Sequence, residues 1–306
     1  QLESAKIIHR ALDLGINFID TAPMSGHGDS ESYIGDAIRG IRDKVILSTK
    51  VGLVPETAPD GTFTVSVARL NKKTIRDALH KSLVALQTDY IDLYQIHAFD
   101  PTTPLEETLS VLEELMKEGK IRFIGCSNFN REQYEEAILR GKNNQLPSFS
   151  SFQVHFNLIE RRAEKEIFPV CRSAGSGVIC NRALSRGILT GKYVWNKPFP
   201  AGSRAAESYR VRRWLKEDTL NLVERLREFA ECRKKTVTEL ALSWLAKKQE
   251  VSVILVGMRN TEQAETAARS TEWDLGEADL TAVEAIIREE GLMSRVQSLP
   301  ETFFEA

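Results

Sequence analysis

Seven short apolar runs, spaced by amphipathic stretches, constrain this chain more than any other feature. They are INFID (16–20), KVILSTK (44–50), YIDLYQIH (90–97), IRFIGC (121–126), SFQVHF (151–156), GVICN (177–181) and VSVILV (251–256). Most are apolar at successive rather than alternate positions. Both faces are therefore suited to burial, as in a parallel sheet covered by helices. Helical patterns fill the gaps, as in KTIRDALHKSLVAL (73–86) and LEETLSVLEELMKEGK (105–120), the second stopping at Gly119 among basic residues. A helix over 4–15 precedes the first run, and two more are expected over 216–233 and 236–249.

Regular β–α alternation without a break in composition argues for one α/β domain spanning 1–306. A (β/α)8 barrel of the TIM type needs eight strands. Seven are present, so the first strand is expected to lie before Gln1. The alternative, an open doubly wound sheet, lacks a GxGxxG after any early strand. One segment breaks the rhythm: GKYVWNKPFPAGSRAAESYR (191–210) is rich in Gly, Pro, Ser and aromatic residues. A loop of that length is usually functional.

Composition narrows the function. Forty-one basic against 43 acidic side chains leave a formal charge of −2 with no basic stripe, which speaks against nucleic acid as a partner. No apolar stretch reaches the ~18 residues of a membrane span, and QLESAKIIHRAL at the start lacks the apolar core of a signal peptide. Cys126, Cys171, Cys180 and Cys232 form no CxxC pair and read as mostly buried thiols. A reducing, cytoplasmic setting is the expectation. The five histidines are dispersed, with no His/Cys/carboxylate spacing for a metal. Oligomeric state is not legible.

In a barrel of this kind the chemistry sits at the C-terminal ends of the strands. The residues falling there are Asp20, Lys50, His97, Ser127 with Asn128, Gln153, and Asn181 with Arg182. Each alone has an ordinary explanation: Asp20 a turn cap, Lys50 a solvated charge, His97 a structural imidazole. Their joint placement after successive runs points to a site. A carboxylate beside a lysine in a partly dry cleft orients the ammonium. The lysine can acidify a neighbouring hydroxyl, and a histidine can polarise a carbonyl. What the trio lacks is an acid of suitable strength.

At this point several linked motifs resemble the aldo-keto reductase superfamily. GINFIDTAPMSGHGDSESYIG (15–35) is similar to that family's GxxxxDTAxxYGxxxSExxxG, and VILSTKVG, DYIDLYQIH, IGCSNF, QVHFN and GILTGKY follow in family order. The resemblance implies a (β/α)8 oxidoreductase using NADP(H) or NAD(H) on an aldehyde, ketone or sugar-type carbonyl or alcohol. Asp20, Lys50 and His97 match three members of its catalytic tetrad; Ser25 falls where the fourth, a tyrosine, is usual. Ser127, Asn128 and Gln153 match residues that hold the nicotinamide. The stretch 181–192 matches the phosphate-lining segment, with Asn181, Arg182, Leu184, Gly187, Gly191 and Lys192 as candidates. Asn181 stands where an aromatic is common, and Arg182 where serine is. Gly257, Met258, Arg259 and Gln263 match the adenosine end, where Thr261 can cap a helix. Arg259 favours NADP(H), with NAD(H) possible. The loop 191–215 is expected on the cofactor side; its 191–210 part and the tail 290–306 are expected to shape the substrate pocket, where Trp195, Phe199 and Phe304 either form an apolar wall or pack the loops down.

Ser25 leaves the activity open. Serine is a far weaker acid than tyrosine, whose pKa is ~10, and it is shorter by a ring. Four readings stand: an oxidoreductase whose proton comes through Lys50, His97 or a water held by Ser25; a redox-neutral elimination or isomerisation; an NAD(P)-binding protein without turnover; or an engineered or accidental knock-out. His27, on the same loop, is a possible substitute acid. His155, beside Phe156 on an apolar run, reads as structural.

Overall fold

A computed structural model describes residues 2–57 and 63–289. The expected tail 290–306 lies outside the described residues. Nine strands occur in chain order: β1 (Phe18–Asp20), β2 (Ile46–Val51), β3 (Leu53–Thr57), β4 (Phe63–Val67), β5 (Ile91–Ile96), β6 (Ile121–Ser127), β7 (Ser151–His155), β8 (Gly177–Asn181) and β9 (Val251–Ile254). Seven of them form one sheet in the order β1-β2-β5-β6-β7-β8-β9, and every neighbouring pair is parallel. These seven are the seven apolar runs, trimmed by one or two residues at some ends and extended by one at the ends of β2 and β6.

The sheet is strongly curved. Asp20 on β1 and Gln153 on β7 lie four strands apart, which in a flat sheet is ~19 Å. Yet the Gln153 amide donates to the Asp20 carboxylate at 3.2 Å. Only a sheet rolled into a nearly closed barrel brings those side chains together across its interior. Helices cover the outside, including Leu2–Asp13, Lys72–Leu86, Leu105–Lys117, Arg131–Asn143, Glu217–Glu231 and Val237–Ala246. On the two faces of β5, Ile91 and Ile96 are fully buried, and Trp244 packs against Phe156 with ring centroids 5.4 Å apart.

The hairpin β3–β4 is antiparallel and stands apart from the barrel sheet. It was not among the seven apolar runs, because Pro55 and the polar residues of its short strands break the apolar pattern. Within 191–210, the chain forms only short helical pieces such as Arg204–Glu207 and Tyr209–Arg212. Cys126, Cys171 and Cys180 are buried, whereas Cys232 is exposed. Among the described residues no helix is long and apolar enough to cross a membrane.

The N-terminal end of the barrel is tied by one carboxylate. Asp92 of β5 accepts from Arg42 at 2.7 Å, from the Leu47 backbone N–H at 2.9 Å and from Arg122 at 2.8 Å. Both guanidiniums lie over the Tyr90 ring, at 4.0 and 4.1 Å from its centroid. Asp92 and Arg42 are largely shielded, while Arg122 is more than half exposed. Removing the carboxylate strands a buried N–H and a shielded cation. Asp92→Ala is therefore expected to cost about 2–3 kcal/mol, and Arg122→Ala under about 1 kcal/mol. Urea unfolding midpoints measure both; equal losses would place the strength of the clamp on the exposed arginine instead.

Candidate active site

The strands deliver the expected polar residues to one end of the barrel, and the period of two along each strand decides which of them face inward. Asp20 ends β1 and is paired in register with Ser48 of β2. Lys50, two residues beyond Ser48, shares its face. Its ammonium donates to Asp20 Oδ2 at 2.5 Å and to the Thr21 carbonyl at 2.9 Å. The lysine is only 3% exposed. Asp20 is thus no turn cap and Lys50 no solvated charge. Burying such a pair costs desolvation that the attraction only roughly offsets, so stability alone is a poor account of it.

His97 follows β5 directly. Its backbone N–H donates to Val51 at 2.7 Å, and its carbonyl accepts from the Asn128 amide at 2.8 Å. Burial, with the nearby Lys50 charge, pushes the imidazole pKa down to about 3. The ring is neutral near pH 7. Asn128 sits in the left-handed region at φ 56°, a conformation asparagine tolerates better than most residues.

Gln153 links the two halves of the site. Its amide N–H2 donates to Asp20 Oδ1, and its oxygen accepts from Asn181 at 3.4 Å. The Asn181 side chain in turn accepts from the Arg182 N–H at 2.7 Å. Ser127 is paired in register with Gln153 and is buried. One hydrogen-bonded chain therefore joins Arg182, Asn181, Gln153, Asp20 and Lys50.

Two members of this constellation escaped the sequence reading. Ser48 donates to Asp20 Oδ1 at 2.9 Å; Gln95 of β5 donates to the same oxygen at 3.0 Å and to Ser48 at 2.8 Å. Each stands two residues before an expected site residue, Lys50 or His97, on the same strand face. That spacing was the available signal.

Ser25 opens a short 3-10 turn, Ser25–Gly28, and its N–H donates to the Ala22 carbonyl at 2.9 Å. A Thr21–Ser30 hydroxyl contact of 2.9 Å closes the loop base. The His27 side chain lies outside the described residues. His155, on β7, is half-buried, and burial with the Arg186 charge lowers its pKa to about 4.

The loop after β8 is a run of tight turns. Arg182, Ser185, Arg186, Gly187 and Gly191 all have positive φ, from 45° to 90°. Its N–H groups close the loop on itself: Ser185 donates to the Arg182 carbonyl at 2.7 Å, Gly187 to Leu184 at 2.9 Å and Gly191 to Ile188 at 3.2 Å. Leu184 packs against the core, while a Cβ on Gly187 would meet the Lys192 ammonium at 3.1 Å. The Arg186 guanidinium is mostly buried against Trp214, 4.6 Å from the ring centroid, and 3.6 Å from Glu160; burial lowers its pKa.

Gly257, Met258 and Arg259 follow β9. The Arg259 N–H donates to the Gln263 side chain at 2.7 Å, and its guanidinium to the Gly202 carbonyl at 2.5 Å and Glu207 at 3.3 Å. The loop 191–210 therefore reaches the same corner. The helix Thr261–Ser270 is capped by Asn260, which accepts from the Gln263 N–H at 3.1 Å, and not by Thr261. Thr261 is the first helical residue, so its neighbour holds the cap position. Among the described residues no group of three His, Cys, Asp or Glu could hold a metal.

At the positions expected to meet a nicotinamide cofactor stand the Asn128 and Gln153 amides, the Lys192 ammonium and the Arg259 guanidinium. Comparison with known proteins agrees. A model described as "Aldo/keto reductase family" matches residues 1–288. The aldo-keto reductase YhdN of Bacillus subtilis (strain 168) is 35% identical over 287 residues, covering 93% of this chain and 83% of the relative. The NADH-specific methylglyoxal reductase of Escherichia coli (strain K12) is 32% identical over 281 residues, covering 87% of this chain and 82% of its own. The solved glycerol dehydrogenase AKR11B4 from Gluconobacter oxydans is 31% identical, with a TM-score of 0.83, 99% of this chain and 89% of that chain covered. Match and architecture together make this chain a member of the aldo/keto reductase family of oxidoreductases.

Proposed function

We propose that the protein interconverts a small carbonyl compound and its alcohol with a nicotinamide cofactor, drawing its proton from Lys50 through a water held at Ser25. The observation carrying this reading is the shielded Asp20–Lys50 pair, hydrogen-bonded through Gln153 to the expected nicotinamide cradle. A bound nicotinamide supplies or takes up the hydride. Ser127, Asn128 and Gln153 would hold its carboxamide end, the 181–192 loop its phosphates, and Gly257, Met258, Arg259 and Gln263 its adenosine. Two of the relatives, a methylglyoxal reductase and a glycerol dehydrogenase, are named for carbonyl and alcohol substrates, which supports the same substrate class here. The alternatives of redox-neutral chemistry and pure cofactor binding have no such support.

The residues divide the work by their charge. His97, neutral at working pH, is suited to donate a hydrogen bond to the carbonyl oxygen but not to deliver an imidazolium proton. The Lys50 amine nitrogen lies 2.5 Å from Asp20 Oδ2. Ser25 is too short to reach an acceptor within the 2.6–3.2 Å that direct transfer needs, so it orients a water between Lys50 and the oxygen. Restoring a positioned acid is worth ~10²–10⁴ in rate. Ser25→Tyr is therefore expected to raise kcat by about 10²-fold or more when NADPH or NADH turnover is followed on a panel of aldehydes. A serine protein that is already fast, and is slowed by tyrosine, would overturn the water-mediated route.

His97 also sets a pH dependence. Its folded pKa of about 3 lies below the ordinary ~6.5 of a free imidazole. As pH falls from 6.5 towards 3, the unfolded chain takes up the proton first. The neutral ring therefore contributes stability that is fully present above pH ~6.5 and lost below it; His155, lowered to about 4, acts in the same direction. The His97 ring is expected to show no NMR titration between pH 5 and 8, and kcat/KM no inflection from it. A ring that titrates near 6.5 would remove the neutral-donor role.

Cofactor preference, read as NADP(H) over NAD(H), turns on Arg259. Its guanidinium can meet a 2′-phosphate only by leaving Glu207. Breaking an exposed ion pair of this kind is worth about 0.2–1 kcal/mol. Glu207→Gln is accordingly expected to tighten NADPH binding about two- to five-fold, with NADH unchanged, by fluorescence titration. Equal effects on both cofactors would place the preference elsewhere.

A further inference from the structure

We propose that Gln95 and Ser48 are positioning residues for the Asp20–Lys50 pair: together they fix Asp20 Oδ1 so that Oδ2 stays on the lysine ammonium. The proposal deepens the site reading above and rests on it only for the importance of Lys50. Three groups, Ser48, Gln95 and the Asp20 carboxylate, close a triangle in which every bond has a defined direction. The Gln95 N–H2 donates to both Ser48 and Asp20, and the Ser48 hydroxyl spends its one proton on Asp20. Turning the amide over would set its oxygen against a carboxylate and leave that carboxylate short of a donor, so the orientation follows from chemistry.

Three observations separate this brace from ordinary packing. Gln95 and Ser48 are both fully buried, at 0% exposure, where an apolar side chain of similar volume would be the simpler occupant. The Gln95 oxygen has no hydrogen-bond partner, a state that costs about 1–3 kcal/mol and that a methionine would avoid. The amide is therefore present for its donors. The barrel also makes room for it: Gly125 of β6 lies in register with Gln95, and a Cβ there would come within 3.2 Å of the Gln95 Cγ. It would also meet the Ser151 hydroxyl at 2.5 Å.

With Oδ1 held by donors from β2 and β5, and from Gln153 on β7, the carboxylate plane cannot rotate. Its other oxygen then faces Lys50 whether or not the site is filled. Without the brace, the carboxylate is free to swing and Lys50 loses the firmer of its two partners. The Thr21 carbonyl alone remains.

The test reads the lysine directly. Exchange of the Lys50 ammonium protons with water is measured by 15Nζ-detected NMR on the whole chain, the signal being assigned by its loss in Lys50→Arg. Gln95→Met keeps the volume and removes the amide; Ser48→Ala removes the hydroxyl with little change of shape; Ser48→Thr restores it. Each of the first two is expected to speed exchange about ten-fold, the equivalent of one charged hydrogen bond weakened, and Ser48→Thr to return it towards the parent value. Thermal unfolding confirms that each variant is folded, and if Gln95→Met does not fold, Ser48→Ala with its Thr rescue decides. Unchanged exchange in folded Ser48→Ala would overturn the brace. Faster exchange with unaltered turnover would uphold the brace and instead sink Lys50 as the proton source, so the two readings fail separately.

Discussion

The Asp20 carboxylate is the contact on which the site depends. Donors from β2, β5 and β7 converge on it, and with β1 itself four strands share one pair of oxygens. Such convergence is possible only because the sheet is rolled, and it explains why the barrel interior is polar at this end. A charged oxygen away from water needs its lone pairs filled. β2 supplies two donors, Ser48 and Lys50, and β5 and β7 one each, through side chains that alternate with core-facing residues such as Leu47 and Ile96.

The two ends of the barrel solve the same electrostatic problem for different purposes. At the N-terminal end, Asp92 is surrounded by guanidiniums that also stack on Tyr90, and it ties strands together. At the C-terminal end, the Asp20 carboxylate is matched to one ammonium and several neutral donors, which leaves a lysine beside an open rim. Conserving geometry at the first end holds the fold; altering it at the second changes the chemistry. The left-handed turns of 181–191 belong to the second end, where Ser185, Gly187 and Gly191 close the loop after β8 with their own backbone N–H groups.

How much was legible in the chain follows from the range of each interaction. The seven strands could be read because each buried strand carries its own apolar run, and most of the helices because their period is local. Asp20, Lys50 and His97 could be placed because they end those runs. Ser48 and Gln95 could not, since their value lies in a carboxylate on another strand, 28 and 75 residues away in sequence. The same holds for Glu207, whose partner Arg259 is 52 residues further on. The hairpin was hidden for another reason: short strands with a proline resemble a loop until they pair. The cap at Asn260 was displaced by one residue, within the usual ambiguity of a helix start.

The proposal that Lys50 is the proton source rests on what the other groups at this end can offer. A histidine pushed to about 3 by burial and by its lysine neighbour carries no spare proton near neutrality. A serine hydroxyl gives one up far less readily than a phenol does. The ammonium of Lys50 is the charged donor that these two leave, and it is held in a recess by a carboxylate that is itself immobilised. A water beside Ser25 would complete the path, since a hydroxyl and a water together span about the length of the phenol that is absent. On the proposed reading the cost of that substitution falls on rate and not on binding. Every residue expected to cradle the cofactor lies outside the 3-10 turn that carries Ser25.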